Sequence, residues 1–226
     1  MIPMEGASVV DTRQDASPDA NQETGGGQRS PLAGVFPAGD GAAQRGGADV
    51  SVEALPATGQ VAVRGKPGDT AILTAASSVL GADLPLVAGG VAAGGNHTVI
   101  WLGPDHWLVV CEAGGGPALT GRLEAAFEGL FAAAVDVSGA RTGLRVSGPA
   151  AADLLATGCR LDLDPAVFGP GQSMQTPLGN VTAIIHCVAL EPPAYEIYVP
   201  RSTAVSFWCW LEHAGREFGL QSVTAG

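Results

Sequence analysis

The sequence predicts an α+β fold with antiparallel sheets, built from two similar split β-α-β repeats. Segments in which every second residue is apolar alternate with segments in which apolar residues recur at helical spacing. The order strand, helix, hairpin, helix occurs twice along the chain. We therefore predict an arm over residues 1–47, a domain over 48–226, and repeats over about 48–137 and 138–226. Each repeat would pack its helices on one side of its sheet.

The first predicted repeat begins with an alternating strand at Val50 and Val52. Asp69 can cap a helix whose apolar stripe ends before Gly81. Pro104 and Asp105 separate two alternating segments and predict a hairpin. The other elements are strands at 60–64, 98–103, 106–111 and 132–137 and a helix at 117–127.

The second predicted repeat has the same order of elements. Ser202 can cap a long helix that ends at Gly219. Aligning residues 63–65 with 146–148, and 107–109 with 195–197, leaves few gaps. The predicted strands are 142–147, 173–177, 181–189, 195–199 and 220–223, and the predicted helices are 150–157 and 202–218.

The arm is expected to be flexible, because residues 1–29 are rich in Gly, Asp, Gln and Ser and have no periodic apolar face. Leu32 and Phe36 then form a short apolar cluster among prolines and glycines. Such a cluster can lie across a partner or cover this chain's own core, and the sequence leaves both open. On the first alternative, Ser30, Pro31, Leu32 and Phe36 are candidate partner contacts.

The last predicted helix has two apolar faces. Phe207, Leu211 and Phe218 share one stripe, which we expect to pack on the sheet. Trp208 lies about 100° further round the helix. We therefore predict that Trp208 contacts a partner, since tryptophan is a common interface anchor.

Composition excludes several classes of partner. The formal charge is −11, from 22 acidic and 11 basic residues, and such a surface repels nucleic acid and anionic membranes. No signal peptide or membrane-length apolar run is visible. Four cysteines without a C-x-x-C pair are typical of a reduced, cytoplasmic protein. We therefore expect no nucleic acid, no membrane and a cytoplasmic location.

No constellation in the sequence predicts a catalytic, metal or cofactor site. His186 and Cys187 are neighbours on a strand and would point to opposite faces. Cys209 and His213 lack a third metal ligand. The glycines at 89–90 and 114–116 match neither common nucleotide-binding pattern.

Four residues are predicted to shape turns. Asp136 and Ser138 can bond backbone N–H groups, with Arg141 bracing the turn. A catalytic role for them would need a base, and the local sequence contains no histidine to activate Ser138. Gly148 would let the chain turn sharply out of its strand before Pro149.

The stretch AVDVSGARTGLRVSGPAAADLLATGCRLDLDP (134–165) resembles the gamma subunits of heterotetrameric sarcosine oxidase, a family related to the aminomethyltransferases. Further stretches match in the family's order. They are SPLAG (30–34), QVAVRG (60–65), LPL (84–86), WLGPDHWL (101–108), DVS (136–138), RT (141–142), GC (158–159), LDL (161–163), YEIYV (195–199), RS (201–202), W (208) and WLE (210–212). The fold that the resemblance implies is the N-terminal part of an aminomethyltransferase.

The resemblance implies an accessory subunit without its own chemistry, in a complex that oxidatively demethylates sarcosine. Alpha, beta and delta subunits would be its partners and would carry FAD, FMN, NAD and tetrahydrofolate. Catalytic aminomethyltransferases carry an acidic residue on the strand after a Gly-rich turn, whereas Leu178-Gly179-Asn180 here is followed by residues 181–185, VTAII. The alternatives are a free-standing folate-binding protein and an adaptor of another amine-oxidase complex.

Overall fold

The computed structural model describes residues 30–32, 34–36 and 49–223. The rest of the arm that was predicted to be flexible, over residues 1–47, lies outside the described residues. The strands are β1 (Ser51–Ala54), β2 (Gly59–Gly65), β3 (Val91–Gly94), β4 (His97–Gly103), β5 (His106–Cys111), β6 (Ala132–Asp136), β7 (Arg141–Ser147), β8 (Gln172–Leu178), β9 (Val181–Leu190), β10 (Pro193–Pro200) and β11 (Gln221–Val223). The α-helices are α1 (Thr70–Leu80), α2 (Gly116–Ala126), α3 (Ala151–Ala156) and α4 (Ala204–Gly215).

Two sheets and four helices form four layers. Sheet A has the order β11-β1-β7-β10-β9-β8, and sheet B has the order β3-β4-β5-β2-β6. Helices α3 and α4 pack on the outer face of sheet A, and α1 and α2 pack on the outer face of sheet B. The inner faces of the sheets meet through a small apolar cluster of Ile100, Leu108, Val110, Ile184 and Tyr198. The predicted α+β class with antiparallel sheets is confirmed, and the two sheets stack back to back.

The ends of α1 follow directly from its sequence. The carboxylate of Asp69 accepts a hydrogen bond from the Ala71 N–H at 3.0 Å. Gly81 ends the helix with a φ of 68°, and its N–H bonds the carbonyl of Ser77. A left-handed residue at this position favours glycine, so the sequence sets both ends of this helix.

The structure differs from the sequence prediction in three elements. Strand β3 was not predicted, because four residues are too few to show a period. The predicted helix at 202–218 is divided into a 3-10 turn at Arg201–Thr203, α4, and a 3-10 turn at Arg216–Phe218. Strand β1, from the first predicted repeat, pairs with β7 and β11 and so belongs to the sheet of the second repeat. Val50 and Val52 pack in the core of that sheet, which explains why β1 joins the sheet of the second repeat.

The two sheets are tied together along one side. Gly90 forms an antiparallel bridge with Gln172. The Ser173 N–H donates to the Gly89 carbonyl at 2.8 Å, and the Val91 N–H donates to the Gly171 carbonyl at 3.1 Å. The glycines at 89–90 therefore join β3 of sheet B to β8 of sheet A.

The described apolar residues Leu32 and Phe36 of the arm pack on this chain's own core. Leu32 is 1% exposed and belongs to the core of sheet A. The rings of Phe36 and Trp208 lie with centroids 4.5 Å apart, and Trp208 is 2% exposed. We therefore correct the expectation that Leu32 and Trp208 contact a partner, because each is buried inside the chain and offers no surface. Phe36 covers Trp208 and is partly buried itself.

We expect Trp208→Ala to lower the free energy of unfolding of the chain by about 3–5 kcal/mol, because it removes a large aromatic from a filled core. Phe131→Ala is the matched control, since Phe131 is 96% exposed and its loss opens no cavity. Chemical denaturation of both variants measures the difference. Equal stability of the two variants would contradict the burial of Trp208.

Candidate functional site

Five polar residues stand opposite one another across five neighbouring strands on the inner face of sheet A. Arg145 of β7 pairs with Glu53 of β1 on one side and with Glu196 of β10 on the other. Glu196 also pairs with His186 of β9, which in turn pairs with Ser173 of β8. Directly opposed residues share a face of the sheet, so these side chains form one row. We call it the polar row.

Glu196 is the centre of the polar row. Its Oε1 accepts a hydrogen bond from Nη2 of Arg145 at 2.7 Å, and its Oε2 accepts one from the hydroxyl of Tyr198 at 2.9 Å. Nδ1 of His186 lies 3.8 Å from Oε2, which is too far for a hydrogen bond. Arg145 and Tyr198 are therefore the two firm partners of the carboxylate.

The surroundings hold Glu196 in its charged form. Burial alone would raise the pKa of Glu196, but His186, Arg145 and Tyr198 together lower it from 4.5 to about 2. Burial and the neighbouring carboxylate raise the pKa of Tyr198 far above its ordinary value. At neutral pH the pair is a fixed carboxylate with a fixed hydroxyl donor.

Across three neighbouring strands the polar row contains Ser173, His186 and Glu196. These are the residue types of a nucleophile, a base and an orienting acid. The geometry does not support that chemistry. Ser173 is 0% exposed, so no substrate reaches its hydroxyl. Ser173 Oγ and His186 Nδ1 also make no hydrogen bond. Within the polar row the hydrogen-bonded pair is Arg145 and Glu196, and Arg145 reaches solvent with its side chain 42% exposed.

The structure brings Asp136 and Ser138 together in one turn. Oδ1 of Asp136 accepts hydrogen bonds from the Ser138 N–H at 3.0 Å and from the Ser138 hydroxyl. Ser138 Oγ in turn accepts the Gln60 N–H at 3.0 Å. Arg141 takes part through its carbonyl, which accepts from Gln60 Nε2 at 3.4 Å. These contacts join the end of β6 to the start of β2.

This turn also fills the start of α2. A Cβ placed on Gly116 would meet Ser138 Oγ and would lie 2.6 Å from Asp136 Oδ1. The N-terminal end of a helix attracts anions, and here the carboxylate of Asp136 already lies beside it. A nucleotide phosphate would be repelled, so the glycines at 114–116 do not fit a flavin or nicotinamide nucleotide.

Gly148 stands where no other residue fits. Its φ is 123°, in the region that favours glycine. A Cβ at this position would meet the carbonyl oxygen of Asp49. The Gly148 N–H donates to the carbonyl of Pro193 at 2.9 Å, which fixes the end of β7 against β10.

The remaining candidates for chemistry are dispersed. Cys187 packs among the residues under the helices of sheet A, whereas His186 lies on the inner face. Burial raises the pKa of the Cys111 and Cys187 thiols, which makes both poor nucleophiles. Within residues 30–32, 34–36 and 49–223, no three His, Cys, Asp or Glu side chains come close enough to hold a metal ion.

The arm residues Ser30 and Pro31 line a small cleft. Its volume is about 30 Å³, and Arg141 and Thr58 are among its other walls. Burial lowers the pKa of Arg141, and the Ser30 hydroxyl accepts the Leu32 N–H at 3.2 Å. Ser30 is exposed and Pro31 is half-buried, so their predicted contact with a partner stays a prediction.

The hairpin of β8 and β9 lies where the resemblance places a catalytic acid. Its turn at Gly179 is covered by Trp210, because a Cβ on Gly179 would lie 2.6 Å from the indole ring. In the first half of β9, Thr182 is exposed while Val181, Ala183, Ile184 and Ile185 are buried. The strand therefore presents no ionisable group at this position.

Comparison with known structures first defines the class of protein. The chain is similar in fold to the glycine cleavage system aminomethyltransferase T from Bartonella henselae, with a TM-score of 0.59 and 19% identity over 78% of this chain and 48% of that one. The chain is more similar to a chain of the heterotetrameric sarcosine oxidase from Corynebacterium sp. U-96 in complex with pyrrole 2-carboxylate. That match has a TM-score of 0.75 and 31% identity and covers 85% of this chain and 96% of that one.

Sequence comparison gives the family. The model of the sarcosine oxidase, gamma subunit family matches residues 64–217. The gamma subunit from Arthrobacter sp. is 40% identical over 127 residues, which are 56% of this chain and 61% of that protein. The one from Corynebacterium sp. (strain U-96) is 35% identical over 161 residues, or 70% and 76% of the two chains. The chain belongs to the sarcosine oxidase gamma subunit family.

Within the described residues, no helix has both the length and the apolar character needed to cross a membrane.

The sequence pattern did not predict the polar row, because along the chain His186 stands beside Cys187 and not beside Glu196 or Ser173. Counting residues outward from the β9–β10 turn could have pointed to the region. It would have paired Glu196 with the wrong residue, because β9 contains a bulge near that turn.

We expect the charge of Glu196 to make the fold sensitive to acid. A pKa lowered from 4.5 to about 2 on folding stabilises the native state by up to about 3 kcal/mol. This contribution is present above pH 4.5 and is lost as the pH falls from 4.5 towards 2. Glu196→Gln should therefore lower the free energy of unfolding at pH 7 and flatten its dependence on pH between about 5 and 3.

Urea denaturation at a series of pH values measures both effects. Glu53→Gln is the control, because Glu53 lies in the same row and its side chain makes no hydrogen bond or ion pair with the described residues. If Glu196→Gln keeps the wild-type pH dependence, the carboxylate is not the group that titrates.

Proposed function

We propose that this chain is a non-catalytic accessory subunit of a heterotetrameric, flavin-dependent sarcosine oxidase. Its family consists of subunits of an oxidoreductase complex, and a solved relative is a heterotetramer. In the proposed complex, sarcosine loses its N-methyl group by oxidation on other chains. This subunit supports the assembly of those chains.

One observation carries the proposal that the chain has no chemistry of its own. The largely buried carboxylate of Glu196 is bonded through one oxygen to Arg145 and through the other to Tyr198. Two further findings support the proposal. Asp136 lies where a nucleotide phosphate would bind at α2, and Trp210 covers the turn before β9.

The partners proposed for the complex are the alpha, beta and delta subunits. We propose that these chains hold FAD, FMN and NAD, that tetrahydrofolate on one of them accepts the methylene group, and that the complex is cytoplasmic. The glycine-rich stretches of this chain support this division, because 89–90 joins the two sheets and 114–116 packs against Asp136.

We expect the purified chain to show no oxidase or aminomethyltransferase activity and no flavin absorbance. The physical reason is that Arg145 and Tyr198 hold the carboxylate of Glu196, and that Asp136 lies where a nucleotide phosphate would bind. Oxygen uptake with sarcosine, a visible spectrum, and calorimetric titration with tetrahydrofolate test the three parts. Co-expression with the larger subunits should in contrast yield a coloured, active complex that contains this chain.

A stoichiometric flavin spectrum of the chain alone would contradict the proposal. Saturable binding of tetrahydrofolate by the chain alone would favour a folate-binding protein instead. Failure of the chain to copurify with any flavoprotein subunit would contradict the accessory role.

A further inference from the structure

Strand β6 is an open edge of sheet B. Among the strands that the structure describes, β6 pairs with β2 and with no other. Its sequence is Ala-Ala-Ala-Val-Asp, without the lysine or proline that commonly prevents an edge strand from pairing with another chain. By contrast, the edge strand β8 of sheet A is protected, since Gly90 and Cys159 form bridges to its two ends.

The β6 edge also carries the most exposed aromatic residue of the described chain. Phe131, directly before the strand, is 96% exposed, and Val135 within it is 55% exposed. A cavity of about 570 Å³ lies beside Phe131, between the start of β6, the end of β2 and the tip of the β4–β5 hairpin. Leu130, Ala132 and Ala133 give this cavity an apolar wall. We call Phe131, Val135 and this cavity the β6 edge surface.

Basic side chains border the β6 edge surface. Arg64 and Lys66 line the cavity, together with the acidic Asp105. Lys66 is the single lysine of a chain whose formal charge is −11. Arg64 pairs with Asp105 at 3.2 Å, but both side chains are more than half exposed, at 57% and 59%, so the pair is easily exchanged. The rim is thus locally positive on an otherwise acidic protein, and it complements a carboxylate.

The backbone of β6 can accept a further strand. The Val137 N–H donates to the Gln60 carbonyl, which makes these two residues a hydrogen-bonded pair in the antiparallel ladder. Because such pairs alternate along a ladder, the N–H of Val135 points to β2 and the N–H of Ala134 points outward. Five residues of β6 span about 17 Å, which is the length of an ordinary strand.

We propose that another subunit of the complex docks on the β6 edge surface by adding an extended segment alongside β6. The segment would carry an apolar side chain against Phe131 and a carboxylate beside Arg64 and Lys66. This mode supplies backbone hydrogen bonds for affinity and two side-chain contacts for specificity. The proposal rests on the proposed role as a subunit of a hetero-oligomer.

Two variants test the surface in the co-expressed complex. Val135→Lys places a charged gatekeeper on the edge strand, and Phe131→Ser removes the aromatic contact. Each should weaken copurification of the larger subunits by about tenfold or more, as expected for the loss of an interface anchor. Val167→Lys is the matched control, because Val167 has the same 55% exposure outside the β6 edge surface.

The charge at the rim is tested by Lys66→Glu. This variant should weaken assembly most at low salt, because exposed charges more than about 10 Å apart are screened at 0.1 M salt and nearer ones are weakened. Amide hydrogen exchange gives a direct readout of strand addition. Exchange of the outward-pointing Ala134 N–H should slow on assembly of the wild-type complex, whereas Val135→Lys should keep the rate of the free chain.

The outcomes separate the surface from the function. If the wild-type chain recruits no partner, the proposed function fails together with the surface. If the wild type assembles, both variants assemble equally well, and the Ala134 N–H exchanges as fast as in the free chain, the docking surface alone is wrong. If the isolated chain dimerises and Val135→Lys makes it monomeric, a second copy occupies the edge and the proposal is overturned. Melting of each variant checks folding, and Phe131→Ser cannot unfold the chain through a cavity because Phe131 is exposed.

Discussion

Tyr198 connects the apolar contact between the two sheets with the polar row beside it. Its ring packs with Ile184 on sheet A against Ile100, Leu108 and Val110 on sheet B. Its hydroxyl would be left without a partner in this contact if Glu196 did not accept its hydrogen bond at 2.9 Å. A buried hydroxyl and a buried carboxylate each cost free energy when unpaired, so the position of one requires the other. Arg145 then neutralises the carboxylate from the adjacent strand.

The same requirement occupies both oxygens of the Glu196 carboxylate. A catalytic acid or base needs a free lone pair or proton directed at a substrate. Here both carboxylate oxygens of Glu196 accept hydrogen bonds from within the chain. The carboxylate of Asp136 accepts hydrogen bonds from Ser138. Glu196 thereby joins β10 to β7, and the turn of Asp136 and Ser138 joins β6 to β2. This agrees with a family whose members are subunits of a larger oxidoreductase.

The arrangement of the edges gives the molecule two different sides. On one side the glycines at 89–90 tie β3 to β8, so the sheets are closed together. On the other side β6 ends sheet B without a further strand among the described residues. The surface left at this open edge is apolar with a basic rim, which differs from the acidic remainder of the chain.

The sequence by itself determined the elements and the family. Asp69 and Gly81 bound α1, Pro104 and Asp105 turn the β4–β5 hairpin, and the alternation of apolar residues locates ten of the eleven strands. These features are local, because caps, turns and periods depend on residues a few positions apart. The ordered short motifs were sufficient for the family, which the comparisons confirmed.

Only the tertiary structure decided what covers each face and which residues meet. A helical period separates the Trp208 face from the Phe207 face, but the packing of Phe36 on Trp208 depends on a segment more than 170 positions away. The polar row depends on register. Ala194 pairs with Ala189, whereas Tyr195 pairs with Cys187, so Val188 is an extra residue that brings Glu196 opposite His186. A shift of one residue changes every cross-strand partner and reverses the face of each side chain. No local pattern encodes that shift, because it is fixed by the packing of β10 between β7 and β9.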